Sequence, residues 1–136
     1  MGESISHIRL VEALYKQIAI TFFNGDTGPI LVDHPESRPT EKPPRIYDFV
    51  PDIYASNIDD SLLVIGEAKT SKDLESNHTF NQLKAFLSFC ALHKNSNFVF
   101  AVRWEMVPLA RAIIKTINKE IVKSDTNITI LEKLSC

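Results

Sequence analysis

Cysteine is nearly missing from this chain: its 136 residues include two, Cys90 and Cys136. Two cysteines so placed build neither a disulfide framework nor a zinc-ligand spacing. Cys90 falls in an apolar helical pattern and reads as a small buried hydrophobe. This usage excludes the disulfide-stapled secreted class and fits a reducing, cytoplasmic setting. Long apolar runs are missing too. None reaches the length that spans a bilayer, and no basic-then-apolar leader opens the chain, so no membrane contact is expected. Met1-Gly2-Glu3-Ser4-Ile5-Ser6 matches the bare myristoylation pattern, but Glu3 gives it no basic support. An excess of positive charge is the third absence: 15 Lys and Arg against 17 Asp and Glu give a net charge of −2. Nucleic-acid binders are usually basic. Contact with nucleic acid would therefore rest on a local patch, or on metal ions offsetting phosphate repulsion.

What is present suits one α/β domain over residues 1–136, with 44% hydrophobic and 24% charged residues. Ser4 to Phe23 has helical period, with Ile8, Val11, Leu14, Tyr15, Ile18, Ala19 and Phe22 on one stripe, and Asn24-Gly25-Asp26 ends it. Gly28 to Asp33 reads as a short strand. Pro35, Pro39, Pro43 and Pro44 then exclude helix or central strand up to Arg45. That charged segment reads equally well as a solvated connector or as a loop contacting a charged partner. Arg45 to Ala55 reads as a strand interrupted by Pro51, and Leu62 to Lys69 as its antiparallel neighbour across a turn at 56–60. A helix over Thr79–Leu92, an apolar strand over Asn97–Trp104, a helix from Pro108 to about Lys123 and a strand over Asn127–Leu131 complete the chain. The order is α-β-β-β-α-β, then α-β, without repeats or low-complexity stretches.

The chemistry concentrates on Pro51-Asp52 and on Glu67-Ala68-Lys69. A core strand seldom ends in two ionisable residues on one face unless they meet a partner, a metal or water. Strand period 2 puts Glu67 and Lys69 on one face. If the turn pairs Ser56 with Ser61, Asp52 faces Ile65 and is a diagonal neighbour of Glu67, within side-chain reach. A one-residue slip would move Asp52 to the other face. Two converging carboxylates suit Mg2+, with Mn2+ as a substitute. Such a site could polarise a phosphoryl oxygen and help form hydroxide from water. Lys69 would stabilise that nucleophile or the developing negative charge. The plain alternative is a solvated hairpin end with an ion-paired Glu67 and Lys69.

Several residues admit two readings. Glu12 lies about 80° from the centre of its helix stripe, at roughly 100° per residue. It could reach a neighbouring strand or simply pair with Lys16. Thr79-x-x-Gln82 has the form of a capping box, which would make Gln82 a helix cap. Thr70, Ser71 and Lys72 follow the strand that ends in Lys69 and could touch phosphate, as could His78 at the start of a helix. Arg111, Lys115, Lys119 and Lys123 recur along the late helix as a basic row, more simply a solvated face, and Trp104 reads as core or rim. His7, His34 and His93 form no ligand spacing with the cysteines.

Taken together, Pro51-Asp52 and Glu67-Ala68-Lys69 resemble the signature of the PD-(D/E)xK nuclease superfamily, which includes restriction endonucleases, Holliday-junction resolvases and RecB-type nucleases. The element order from residue 5 to residue 103 is similar to that family's αβββαβ core, so the resemblance covers most of the chain. It implies a restriction endonuclease-like fold, a mixed central sheet flanked by helices, here followed by a C-terminal helix and strand. It also implies Mg2+-dependent phosphodiester hydrolysis of nucleic acid; DNA is the expected substrate, and the sequence leaves RNA open. By motif position Asp52, Glu67 and the Ala68 carbonyl would be metal ligands and Lys69 the catalytic lysine. Glu12 occupies a place comparable to the first-helix glutamate that completes the site in several members. Gln82 partly matches the Gln-x-x-x-Tyr of RecB-like members, with Phe86 in place of the tyrosine, and so is a further catalytic candidate. The other reading is a catalytically inactive nucleic-acid- or protein-binding module on the same fold. A chain this short would cut both strands most simply as a homodimer, or act as a subunit of a larger nuclease assembly.

Overall fold

Alternation and helical period become real layers in the computed structural model, which describes residues 5–57, 59, 61–70, 74–121 and 125–133. The elements are α1 (Ile5–Phe23), β1 (Ile30–Val32), β2 (Ile53–Ser56), β3 (Leu63–Ala68), α2 (Asn77–Ala91), β4 (Ser96–Arg103), α3 (Val107–Glu120) and β5 (Asn127–Lys133), with 3-10 turns at Pro39–Glu41 and Trp104–Met106. The strands form one five-stranded sheet in the order β1-β2-β3-β4-β5. β2 pairs antiparallel with both β1 and β3, whereas β3, β4 and β5 are parallel. Parallel neighbours need a crossover, and α2 and α3 supply the two. The result is an α/β fold with a mixed sheet flanked by helices. No helix among the described residues is long and apolar enough to cross a membrane.

The two faces of β3 bury different layers, which is why all six of its residues are buried. Leu63 and Ile65 join Phe98, Phe100, Leu83, Phe86 and Ile117 beneath α2 and α3. Val64 and Ala68 join Leu10, Val11, Leu14 and Ile18 of α1 on the other side. Cys90 belongs to the first of these cores, and burial pushes its thiol up to about 12. That makes it inert packing, as its place in the apolar pattern suggests.

Three local expectations are corrected. Residues 45–50 are not a strand. They make a tight turn in which Ile46 and Phe49 bridge each other, with Tyr47 at φ 54. The prolines at 43, 44 and 51 isolate this segment from any ladder. Second, Ser56 pairs with Leu63 and Ile53 with Gly66. The register is thus shifted from the Ser56–Ser61 expectation by a wider turn. Asn57 holds that turn open, donating to Ser61 Oγ at 2.8 Å and accepting from Leu62 N at 3.1 Å. Third, α2 begins at Asn77, and its cap is Ser76, whose Oγ accepts from Thr79 N at 3.0 Å. Thr79 is therefore inside the first turn, and the Thr79–Gln82 capping box does not form.

Candidate active site

The shifted register brings the two carboxylates closer than a diagonal. Extending the Ile53–Gly66 pairing by one residue sets Asp52 directly opposite Glu67, on the same face. Pro51 has no N–H with which to continue the ladder, and side chains take over. Asp52 Oδ2 accepts from Ala68 N at 2.8 Å, and Glu67 Oε1 accepts from Asp52 N at 3.0 Å. Both carboxylates are buried, Asp52 being 6% and Glu67 2% exposed. Lys69 follows on the same face, its Nζ 3.5 Å from Glu67 Oε2. Lys69 N also donates to Ala101 O at 3.1 Å, which fixes this residue against β4.

Burial and the neighbouring charge of Asp52 together hold the Glu67 carboxyl well above the usual range, while Lys69 and the Asp52 N–H oppose that rise. A carboxyl whose folded pKa exceeds its unfolded one binds protons more tightly when folded. Its contribution to stability is full below the unfolded value and is lost as pH rises through the raised one. Glu67→Gln keeps an acceptor for Asp52 N–H and removes the buried charge. It is expected to raise the thermal midpoint at pH 8 by a few degrees, the size about 1 kcal/mol gives a domain of this length. Scanning calorimetry from pH 5 to 9 checks this, and the wild-type decline across that range should flatten in the variant.

A residue outside the expected site set completes the cluster. His7 Nε2 lies 3.3 Å from Asp52 Oδ2 and 3.1 Å from the Ala68 carbonyl oxygen. Its signal in the sequence is phase: counting back from Ile18, Leu14 and Val11, the buried stripe of α1 reaches residue 7 in the first turn. Glu12 is not in that phase. It is exposed and meets His34, Oε2 to Nε2, at 3.3 Å. Among the described residues no hydrogen bond or ion pair joins Glu12 to Asp52, Glu67 or Lys69. Glu12→Ala is accordingly expected to leave any chemistry at Asp52, Glu67 and Lys69 unchanged, which parallel assays of the variant and the wild type check. The hollow of about 830 Å³ lined by Glu12, Tyr15, Lys16, His34 and Glu41 runs along α1 and β1 and includes none of the three central residues.

Gln82, relieved of capping, is 9% exposed, and its Oε1 is buried with no hydrogen-bond partner among the described residues. It sits between His78 and Phe86 at four-residue spacing. The Phe49 ring touches both, at 5.5 Å from His78 and 6.4 Å from Phe86. An unpaired buried amide oxygen is costly in a fold that has no use for it. Thr70 follows Lys69 and is half-buried, and His78 is exposed in the first turn of α2. Ser71 and Lys72 lie outside the described residues.

The donor set can be tested against a divalent cation. Two carboxylates and one backbone carbonyl offer only oxygen, as Mg2+ prefers, with water completing the octahedron. Burial first, and the Asp52 charge second, raise the Glu67 carboxyl, and a divalent cation held there would favour its ionised form. The residues therefore fit. Two features run the other way: no three His, Cys, Asp or Glu side chains among the described residues already converge as a ligand set, and His7 Nε2 lies against two of the oxygens. Comparison with family models, curated proteins and solved structures finds no significant match.

Proposed function

We propose that this chain is a metal-dependent nuclease of PD-(D/E)xK type on a restriction endonuclease-like fold, hydrolysing phosphodiester bonds of nucleic acid, DNA in preference to RNA. One observation carries the reading: the buried carboxylates of Asp52 and Glu67 meet the partly buried Lys69 at one end of β3 beside the Ala68 carbonyl. Asp52, Glu67 and the Ala68 carbonyl would hold Mg2+ or Mn2+. When bound, such a cation supplies Lewis-acid polarisation of a phosphoryl oxygen and of water. Lys69, held by Glu67, places a positive charge where negative charge develops on the phosphoryl group. The amide oxygen of Gln82, once reached by solvent, would accept a hydrogen bond from the attacking water. Thr70 and His78, at the end of β3 and the start of α2, are suited to a phosphate near a helix N-terminus.

A second reading, a catalytically inactive binding module, is favoured by the His7 contacts, since that imidazole lies on two of the oxygens a cation would use. The experiment that separates them is incubation with labelled single- and double-stranded DNA and RNA in Mg2+, in Mn2+ and in chelator. Metal-dependent cleavage supports the nuclease. Binding of oligonucleotide without cleavage in either metal supports the module.

A further inference from the structure

Two aromatic side chains stand exposed at the end of the sheet that carries Asp52 and Lys69, and the reading above uses neither. Tyr47 is 57% and Trp104 is 54% exposed, whereas the other exposed large hydrophobics among the described residues, Ile5, Ile20 and Leu92, are aliphatic. Trp104 directly follows β4, whose C-terminal end lies beside that of β3, with Ala68 paired to Ala101. Tyr47 occupies the first central position of the turn closed by Ile46 N to Phe49 O at 2.6 Å and Phe49 N to Ile46 O at 3.0 Å. Phe49 anchors that turn edge-on against His78, in the α2 turn that starts at the same end of β3. Tyr47, in a turn held against the start of α2, and Trp104, just after β4, thus both belong to the end of the sheet where Lys69 follows β3.

Tyr47 also sits in an unfavourable place for its type. At φ 54 the backbone is in the left-handed region, where glycine is at ease and a bulky residue is strained. Glycine would close this turn at less cost, and what it would lack is the exposed ring. The chain's charge points the same way. At a net charge of −2 it has no cationic excess with which to grip a duplex by its phosphates. Stacking draws affinity from the bases instead, and it needs bases that are unpaired.

We infer that the site takes single-stranded nucleic acid, with bases stacked on Tyr47 and Trp104 near the scissile phosphate. The position of that phosphate rests on the nuclease reading; the stacking does not. Trp104 is the one tryptophan of the chain, so its emission reports on this rim alone. The test titrates the Lys69→Ala protein, in Mg2+, with a 12-nucleotide DNA single strand and with the same sequence as a blunt duplex. Quenching by the single strand and little by the duplex is expected. By anisotropy of a labelled single strand, Tyr47→Gly and Trp104→Ala should each weaken binding about tenfold, within the range of stacked bases. Tyr47→Gly should at the same time raise the thermal midpoint, a combination that a structural role for the ring would not give. Equal affinity for duplex and single strand, or unchanged affinity in both variants, overturns the inference. Hydrolysis of bis(p-nitrophenyl) phosphate by the wild type in Mn2+ tests the chemistry separately, since that compound has no bases. Single-strand affinity that depends on both rings but comes with no hydrolysis supports the stacking and counts against the nuclease alone. Hydrolysis with ring-independent affinity does the reverse.

Discussion

Replacing Lys69 by methionine, which keeps the length and apolar stem of the side chain, is expected to reduce metal-dependent cleavage by about 10²–10³-fold or more, the loss seen when one charge-stabilising donor is removed. Asp52→Asn should fall at least as far, because an amide is a poor ligand for a hard cation. Asparagine still offers Ala68 N an acceptor, so its circular dichroism and thermal midpoint should stay close to wild type. Asp52→Ala should lose both properties. It leaves the N–H of buried Ala68 without the 2.8 Å bond it now makes, at a cost of about 1–3 kcal/mol. Lys84→Ala removes an exposed pair with Glu120 and serves as the control, leaving rate and stability unchanged. Initial rates on a labelled oligonucleotide, beside melting curves of the same preparations, decide the matter. Wild-type cleavage by the Lys69 variant would assign the activity to other groups.

The second large effect concerns how the site is assembled. Gly66 lies on β3 beneath α1. A Cβ there would come within 2.9 Å of Ile18 Cδ1, 3.0 Å of Leu14 Cδ2 and 3.2 Å of Ile53 Cβ. The two δ-methyls end flexible side chains and can turn aside. Ile53 Cβ is fixed to the backbone of the neighbouring strand and cannot. Gly66→Ala should therefore cost only about 1 kcal/mol, whereas Gly66→Val, whose branch meets all three, should cost about 3 kcal/mol or more. For a chain of this length that is a fall in midpoint on the order of 10 °C. Lifting α1 from β3 also withdraws His7 from Asp52 and from the Ala68 carbonyl. Chemical denaturation of the two variants checks the ordering, and equal stability would show that α1 packs elsewhere.

The parts of the fold legible in the sequence are those written in periodicity. Phe98 to Val102 is a buried parallel strand because both its faces are covered, and an unbroken apolar run is what that requires. α1 was legible from Val11, Leu14 and Ile18, and the same phase reached His7, whose role shows only once the strand ends are in place. The stretch from Ile46 to Val50 has strand-forming residues and no strand, because the prolines around it and the positive φ of Tyr47 override propensity. The register was beyond reach for a different reason. Asn57 sets it by hydrogen bonds across the turn, and no pattern of apolar residues records those. The shift preserved the face of Asp52 because it was even, so the carboxylates met as expected, and more directly. Thr79 and Gln82 had the spacing of a capping box, but Ser76 took the cap three residues earlier and left Gln82 to the interior.

The central claim is that Asp52 and Glu67 hold a divalent cation beside Lys69. A crystal soaked in Mn2+ and measured at the manganese absorption edge tests it most directly. The expected result is an anomalous peak within about 2.0–2.3 Å of an Asp52 carboxylate oxygen, a Glu67 oxygen and the Ala68 carbonyl, with His7 turned aside or joined as a ligand. Well-ordered carboxylates that keep their bonds to Ala68 N and Asp52 N, with His7 still in contact and manganese absent or bound elsewhere, would contradict it.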